Sequence, residues 1–299
     1  MLPYIIVHPL SLGPLKLQPF GLLVAIGVTL GWSLVTKRAR GLGFRDRDVQ
    51  SFLWWMIVGG FVGGHVFDDL LYHPREVLHD PIRLILLWKG LSSFGGFSGA
   101  TLGGLAWKYF YLRPLAETGT GARFFVPARR ATPVALLPYA DLMIAAFPVA
   151  WIFGRSGCAV VHDHPGAIAG ANAWFSVAFG PGRVVDYGLF LLRYGNTPRY
   201  DLGLLELIIT LFIASGFALT WSRGGAKGYY IAAASIIYAP IRFALDFLRN
   251  TDAEGGDIRY ASLTPAQWLC IGLLLYGFWV LHFIRKTNPT VMPANGSEL

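Results

Sequence analysis

Long apolar runs separated by short polar segments dominate this sequence. The hydrocarbon core of a bilayer needs about 20 apolar residues for each helix that crosses it. Seven runs are candidate membrane spans: 19–36, 51–72, 95–112, 134–158, 203–221, 228–248 and 266–284. The pattern therefore predicts an all-α membrane protein with about seven transmembrane helices, and a single polytopic domain over residues 1–286.

Three segments outside these runs have different expected roles. The stretch 82–94 is apolar but short and contains Lys89, which favours a re-entrant or interfacial piece leading into the third span. The long segment 159–202 separates the fourth span from the fifth. The end of the chain, 287–299, is polar with two prolines, and we expect it to be a disordered tail.

Basic residues indicate how the spans are oriented. Lysine and arginine cluster in alternate loops, namely 37–50, 108–133 and 222–227, and again at Arg285 and Lys286. Short loops rich in these residues stay on the cytoplasmic side. The N-terminus is therefore expected outside and the C-terminus in the cytoplasm, which makes 159–202 extracytoplasmic.

Composition supports a membrane protein and argues against a soluble domain, a disulfide-based scaffold and a nucleic-acid-binding protein. Hydrophobic residues make up 54% of the chain and charged residues 14%, whereas a soluble domain carries about a quarter charged residues. Cys158 and Cys270 are too few for a disulfide framework. The net charge of +8 is explained by the cytoplasmic loops, so no nucleic-acid partner is expected.

Charged residues inside a span are costly and mark functional sites. In the sixth span, Tyr238, Arg242, Asp246 and Arg249 share one helical face. Arg242 and Asp246 can pair, and a structural ion pair with an interfacial Arg249 is one interpretation. We favour an anion-binding face, because a guanidinium group matches the oxygens of a phosphate in a bidentate fork.

The fourth span ends in a second arginine motif, Gly154-Arg155-Ser156-Gly157-Cys158. Arg155 could snorkel to the lipid headgroups. The alternative is that Gly154 and Gly157 let a headgroup or another backbone come close to Arg155.

Two groups of titratable residues lie just after the fourth span and near the end of the second span. They are His162, Asp163, His164, His65, Asp68 and Asp69. An extended backbone would turn His162 and His164 toward one target. Proton transfer, metal binding and ordinary hydrogen bonds all remain open, and the spacing matches no known zinc signature.

Glycines recur at the small-xxx-small spacing that lets membrane helices approach closely. The pairs are Gly59 with Gly63, Gly60 with Gly64, and the series Gly95, Gly99 and Gly103. Packing is the favoured interpretation, although Gly95 and Gly96 could also line a cavity.

Taken in order, these motifs resemble the prolipoprotein diacylglyceryl transferase family from about residue 10 to 285. The matching stretches are Gln18–Gly21, Gly63–His65 with Tyr72, Trp88–Gly96, Ala140–Leu142, Gly154–Gly157, Pro198–Tyr200 with Glu206, and Tyr238–Arg249. The resemblance implies a seven-span enzyme of the bacterial inner membrane. Such an enzyme moves diacylglyceryl from phosphatidylglycerol to the lipobox cysteine thiol of a prolipoprotein and releases glycerol phosphate.

The chain departs from the family pattern at several positions. Gly95 replaces a histidine that is important for catalysis, and Cys158 and Val161 replace asparagines. Phe20 stands for a tyrosine, His65 for an arginine, and Asp163 for another acidic residue. The resemblance thus implies that the phosphate-binding arginines are kept, while proton handling is rebuilt around new groups: His65, His162, Asp163 and His164.

We therefore expect His162, Asp163, His164 and His65 to be catalytic, with His162 or His164 as the base. The expected substrate-binding residues are Arg155, Arg242, Asp246, Tyr238, Arg249, Gly95, Gly96, Gly154, Gly157 and Cys158. The expected partners are phosphatidylglycerol, the lipobox signal peptide and the bilayer, with no cofactor or metal and a monomeric state. Two alternatives remain: a related transferase with another acceptor, or a lipid-binding or lipid-transport protein.

Overall fold

The structure is a computed structural model of the 299-residue chain. It describes residues 2, 7, 9–12, 15–86, 91–114, 125–170, 173, 175–178, 183–186, 191–194, 198–221, 227–249 and 259–287. The end of the predicted tail, 288–299, and residues 87–90 of the predicted re-entrant piece lie outside the described residues.

The described residues are mostly helical. The helices are α1 (Pro19–Gly41), α2 (Asp46–Tyr72), α3 (Pro74–His79), α4 (Ser93–Tyr109), α5 (Leu136–Val161), α6 (Leu202–Thr220), α7 (Tyr229–Leu245) and α8 (Pro265–Thr287). Short 3-10 helices occupy Pro81–Ile85 and Asp246–Leu248. Among the described residues, six helices are long and apolar enough to cross a membrane: α1, α2, α5, α6, α7 with the turn after it, and α8. The predicted all-α multi-pass membrane class is confirmed.

The third predicted span differs from the structure at its end. It was expected over 95–112, but α4 ends at Tyr109 and the chain becomes extended at Phe110. Arg130 ends the helix by donating its Nε hydrogen to the carbonyl oxygens of Trp107 and Phe110, at 3.1 Å each. With 17 residues, α4 is about 26 Å long, shorter than a bilayer core of about 30 Å. The count of seven spans and their orientation stay predictions.

Short antiparallel strands connect the helices. They are β1 (Leu10–Leu12), β2 (Leu15–Leu17), β3 (Phe110–Pro114), β4 (Phe125–Arg129), β5 (Pro165–Ile168), β6 (Ser176–Ala178), β7 (Arg183–Asp186), β8 (Leu191–Tyr194) and β9 (Pro198–Asp201). Strand β9 lies between β5 and β6 in a three-stranded sheet, and the other strands pair as β1–β2, β3–β4 and β7–β8. Within the predicted extracytoplasmic segment 159–202, the described residues include five short strands between α5 and α6.

The chain divides into two compact units. The first unit contains Met1–Val35 and Asp141–Leu299, and the second contains Thr36–Ala140. The expectation of a single membrane domain over 1–286 stays a prediction.

In the second unit, α2 and α4 pack through glycines. A Cβ atom on Gly99 would lie 2.2 Å from the carbonyl oxygen of Gly59, and one on Gly63 would lie 2.5 Å from the Cα of Gly99. A Cβ on Gly103 would lie 2.2 Å from the carbonyl oxygen of Trp55. The two backbones thus touch where a side chain would stand, which confirms the packing interpretation of the glycine series.

Candidate functional site

Three helices of the first unit bring two arginines to one buried carboxylate. Nη2 of Arg155 on α5 lies 2.7 Å from Oε2 of Glu206 on α6. Nε of Arg242 on α7 lies 3.2 Å from Oε1 of the same Glu206. Glu206 is 4% exposed and Arg155 is 5% exposed. Buried ions need a partner of opposite charge, and this carboxylate supplies one to both arginines.

Asp246 holds Arg242 from the other side. Arg242 Nη1 donates a hydrogen bond to Asp246 Oδ1, so the predicted pair is present in the structure. The hydroxyl of Thr264 donates to the other carboxylate oxygen of Asp246. Asp246 is 1% exposed, so these contacts satisfy a carboxylate that water does not reach.

The start of α8 fixes Thr264. Its backbone N–H donates to Oε1 of Gln267 at 3.0 Å, and its hydroxyl accepts from the backbone N–H of Gln267 at 3.1 Å. This is a capping box, with Pro265 at the first helical position. Gln267 also donates to the carbonyl oxygen of Phe243 on α7 at 3.2 Å. The ends of α7 and α8 are thereby tied together around Asp246.

Two predicted residues of the sixth span lie at the edge of this group. Tyr238 is close enough to Glu206, Arg155 and Arg242 for their charges to act on its hydroxyl. Arg249 was expected on the same helical face, but this is wrong because α7 ends at Leu245 and Arg249 is extended. Its Nε nevertheless lies 3.9 Å from Asp246 Oδ1.

We call this group the charged cluster; its members are Arg155, Glu206, Arg242, Asp246 and Arg249. Within it, three guanidinium groups meet two carboxylates. Among the described residues, the buried Nε of Arg155 has no hydrogen-bond partner. The cluster therefore offers a guanidinium donor to an anion.

A second cluster lies at the C-terminal end of α5. It contains Cys158, Asp163 and His164. Each offers one atom that could bind a metal ion, and these three atoms lie within 4.8 Å of one another. Nδ1 of His164 hydrogen-bonds to Oδ1 of Asp163, and the Cys158 thiol lies nearby. We call these three residues the thiol–imidazole cluster. Nη1 of Arg155 lies 3.9 Å from Sγ of Cys158 and joins the two clusters.

The His164 ring stands in a locally negative environment. Burial alone would lower its pKa, but the Asp163 carboxylate and the Cys158 thiol outweigh burial and raise the pKa to about 10.

His162 takes a different partner from the one expected. The extended backbone that would align His162 with His164 is absent, because α5 continues to Val161 and His162 has a positive φ of 51°. Nδ1 of His162 lies 2.6 Å from Oδ2 of Asp201. Asp201 also caps α6 by accepting from the backbone N–H of Leu204 at 3.0 Å. One buried carboxylate therefore starts α6 and orients the ring of His162.

His65 belongs to the second unit and is fully buried there. Its Nε2 lies 3.0 Å from the carbonyl oxygen of Arg83 and 3.5 Å from Oδ2 of Asp69. Arg83 Nε donates to Oδ1 of Asp69 at 2.6 Å. This hydrogen bond is the main reason that the pKa of Arg83 is raised. Asp68, unlike Asp69, faces another histidine: its Oδ2 lies 3.9 Å from Nε2 of His73. The predicted catalytic role of His65 stays a prediction.

The four glycines expected at the substrate have unequal surroundings. A Cβ on Gly95 would lie 2.5 Å from the carbonyl oxygen of Gly63, so α2 fills the space beside position 95. A Cβ on Gly157 would lie 2.9 Å from the ring of Phe20. At Gly96 and Gly154 the nearest atoms would be 3.7 Å away, so no close approach requires glycine there. Their contact with substrate stays a prediction.

Sequence reasoning missed three residues of this region. Glu206 was noted only as part of the approach to the fifth span, and Asp201 and Thr264 were not singled out. The capping residues had a readable signal: Thr264 and Gln267 have the spacing of a capping box, and Asp201 directly precedes an apolar run. The pairing of Glu206 with two arginines had none, because it joins three separate helices.

Comparison with known proteins assigns the family. The model of the prolipoprotein diacylglyceryl transferase family matches residues 8–283. The chain belongs to this family. Three similar proteins are all named phosphatidylglycerol–prolipoprotein diacylglyceryl transferase. That of Methylococcus capsulatus is 26% identical over 94% of this chain and 97% of its own length.

The other two relatives are equally well covered. The Nitratidesulfovibrio vulgaris protein is 27% identical over 98% of this chain and 99% of its own length. The Solidesulfovibrio magneticus protein is 28% identical over 92% of this chain and 95% of its own length. The similarity therefore runs along the whole membrane region, and the resemblance inferred from the motifs is confirmed.

Proposed function

We propose that this protein transfers the diacylglyceryl group of phosphatidylglycerol to the lipobox cysteine of a prolipoprotein. The names of the related proteins support this reaction, and so does membership of their family. The six long apolar helices support a location in a membrane, the bacterial inner membrane in this proposal. The protein acts as a monomer.

The charged cluster carries the proposal. Phosphatidylglycerol has a phosphodiester with one negative charge, and guanidinium groups match the oxygens of such a phosphate. Arg155 and Arg242 converge on Glu206 from different helices, so their guanidinium groups are oriented before any lipid arrives. A preorganised pair of donors stabilises charge that develops on a leaving phosphate better than mobile water does.

The reaction needs a thiolate nucleophile. A cysteine thiol with a pKa of about 8.5 is mostly neutral at pH 7. The attacking sulfur forms a bond to the terminal glyceryl carbon, the bond from that carbon to the phosphate oxygen breaks, and glycerol phosphate leaves. The thiol proton must pass to a base.

We assign this proton to His162. Its ring bonds to the buried Asp201 at 2.6 Å, the arrangement in which a carboxylate orients a general base. The ring of His164 pairs instead with Asp163, and the Cys158 thiol lies nearby.

A mass measurement tests the function. The purified protein in nanodiscs is given phosphatidylglycerol and a lipobox peptide, and the peptide mass is read. We expect the mass of a diacylglyceryl group to be added, and no addition to a peptide with serine in place of its cysteine. If an active relative modifies the peptide and this protein does not, the proposal is wrong, and a different acceptor or a lipid-binding role replaces it.

A further inference from the structure

We propose that Cys158, Asp163 and His164 bind a zinc ion, and that the acceptor thiol completes its coordination. This inference rests on the proposed function, because the acceptor thiol is that of the prolipoprotein.

The three side chains are of the type that zinc prefers. Thiolate, imidazole and carboxylate are its usual ligands, at about 2.0–2.3 Å from the ion. Ligand atoms around one tetrahedral ion lie about 3.3–3.8 Å apart by the same geometry. The candidate atoms already lie within 4.8 Å of one another, so small side-chain movements bring them to an ion.

The number of ligands indicates an open position. Structural zinc sites have four protein ligands, whereas catalytic sites have three and leave the fourth position to water or substrate. Among the described residues, the cluster contains three. Cys158 is 7% exposed, while the Asp163 and His164 side chains are 19% and 26% exposed, so the open side of the ion faces away from the sulfur.

The charges of the site suit a divalent cation. The Cys158 thiolate and the Asp163 carboxylate carry two negative charges, which equal the charge of the ion. Arg155 lies beside the sulfur, with 3.9 Å from Nη1 to Sγ, and its Nη2 is paired with Glu206 at 2.7 Å.

The position of the cluster gives the ion a role. Arg155 Nη1 lies 3.9 Å from Cys158 Sγ, and the same arginine belongs to the charged cluster through Glu206. A thiol that coordinates zinc loses its proton and remains a nucleophile. With zinc bound, the ion would hold the acceptor sulfur as a thiolate, its proton having gone to the base of the proposed function. The sulfur would bond to the glyceryl carbon as the carbon–oxygen bond to phosphate breaks, and glycerol phosphate would leave.

Metal content tests the site without any activity assay. We expect about one zinc per chain in the intact protein, and at least a tenfold loss in C158S and in H164Q. C270A and H282A are matched controls that should keep the metal, since Cys270 lies in α8 outside the cluster and His282 is exposed. D163N keeps the size of the side chain, so a lower metal content in this variant cannot be attributed to lost packing.

Cobalt substitution tests the acceptor. The cobalt-loaded protein should show a sulfur-to-cobalt charge-transfer band that is lost in C158S. This band should intensify when the lipobox peptide is added, and should not change with the serine peptide. Absence of stoichiometric zinc from the intact protein, or full zinc retention in C158S, would overturn the site. A band that the cysteine peptide leaves unchanged would overturn the thiol as the fourth ligand.

The transfer assay separates the two proposals. Loss of transfer on metal removal and its return with zinc supports both. Unchanged transfer in metal-free protein overturns the zinc inference and leaves the proposed function standing. Stoichiometric zinc in a protein that never modifies the peptide keeps the metal site and overturns the proposed function together with the acceptor role.

Discussion

The α2–α4 interface pairs repeated glycines of two helices, whereas the charged cluster joins side chains from three helices. The α2–α4 interface of the second unit has the glycine spacing that predicts close packing, and the structure has that packing. The charged cluster of the first unit was predicted only in part, since Glu206 was missed. A repeat within one helix is visible in sequence, whereas a contact among three helices depends on how they are arranged.

The largest effect is expected in the charged cluster. Replacing Arg242 with alanine removes a donor at the leaving phosphate, and transfer should fall about 10³-fold or more. Peptide mass analysis measures the rate. R285A removes an exposed arginine and serves as the control. Equal rates in R242A and R285A would show that Arg242 does not act in transfer. Its ion pair with Glu206 would then be structural only.

The next effect concerns His162. With alanine at this position the thiol proton has no oriented acceptor, and transfer should fall about 10²–10⁴-fold. H282A, on the exposed side of α8, should keep the normal rate. An unchanged rate in H162A would show that the Asp201–His162 pair only fixes the start of α6.

The glycine interface should respond in stability rather than in chemistry. Alanine at Gly99 places its Cβ 2.2 Å from the carbonyl oxygen of Gly59, and this overpacking should cost about 1–3 kcal/mol of unfolding free energy. Unfolding in detergent measures the change. Gly272 on α8 has no atom within 4 Å of a built Cβ, so G272A should be neutral or stabilising. A G99A protein as stable as G272A would contradict the packing.

The smallest effect is expected at Thr264. Valine keeps its shape but loses the hydroxyl that caps α8 and donates to Asp246, at a cost of about 1 kcal/mol in unfolding free energy. T287V, at an exposed threonine bonded only within its own helix, is the control. If T264V lowers the free energy of unfolding no more than T287V does, the capping box does not hold Asp246.

The sequence predicts what is local or repeated. Hydropathy located the helices to within a few residues, and the pairing of Arg242 with Asp246 followed from one helical turn. The end of α4 was misplaced because Arg130, far along the chain, caps it. Arg249 was misplaced because a 3-10 turn ends α7 early.

The polar site was harder to predict because its partners come from different elements. The two histidines of the sequence His162-Asp163-His164 looked like one pair, but each takes its own carboxylate. The α5 helix runs on to Val161, and the positive φ of His162 turns the ring toward Asp201. No spacing in the sequence indicates that turn.

Lipid retention tests the central claim most directly, that the arginines of the charged cluster hold the donor phosphate. Native mass spectrometry of the protein released from detergent with phosphatidylglycerol should show one retained lipid. The R242Q protein should lose this lipid and the R285Q protein should keep it. Equal retention by R242Q and the unchanged protein would contradict the account, because the phosphate would then be held elsewhere.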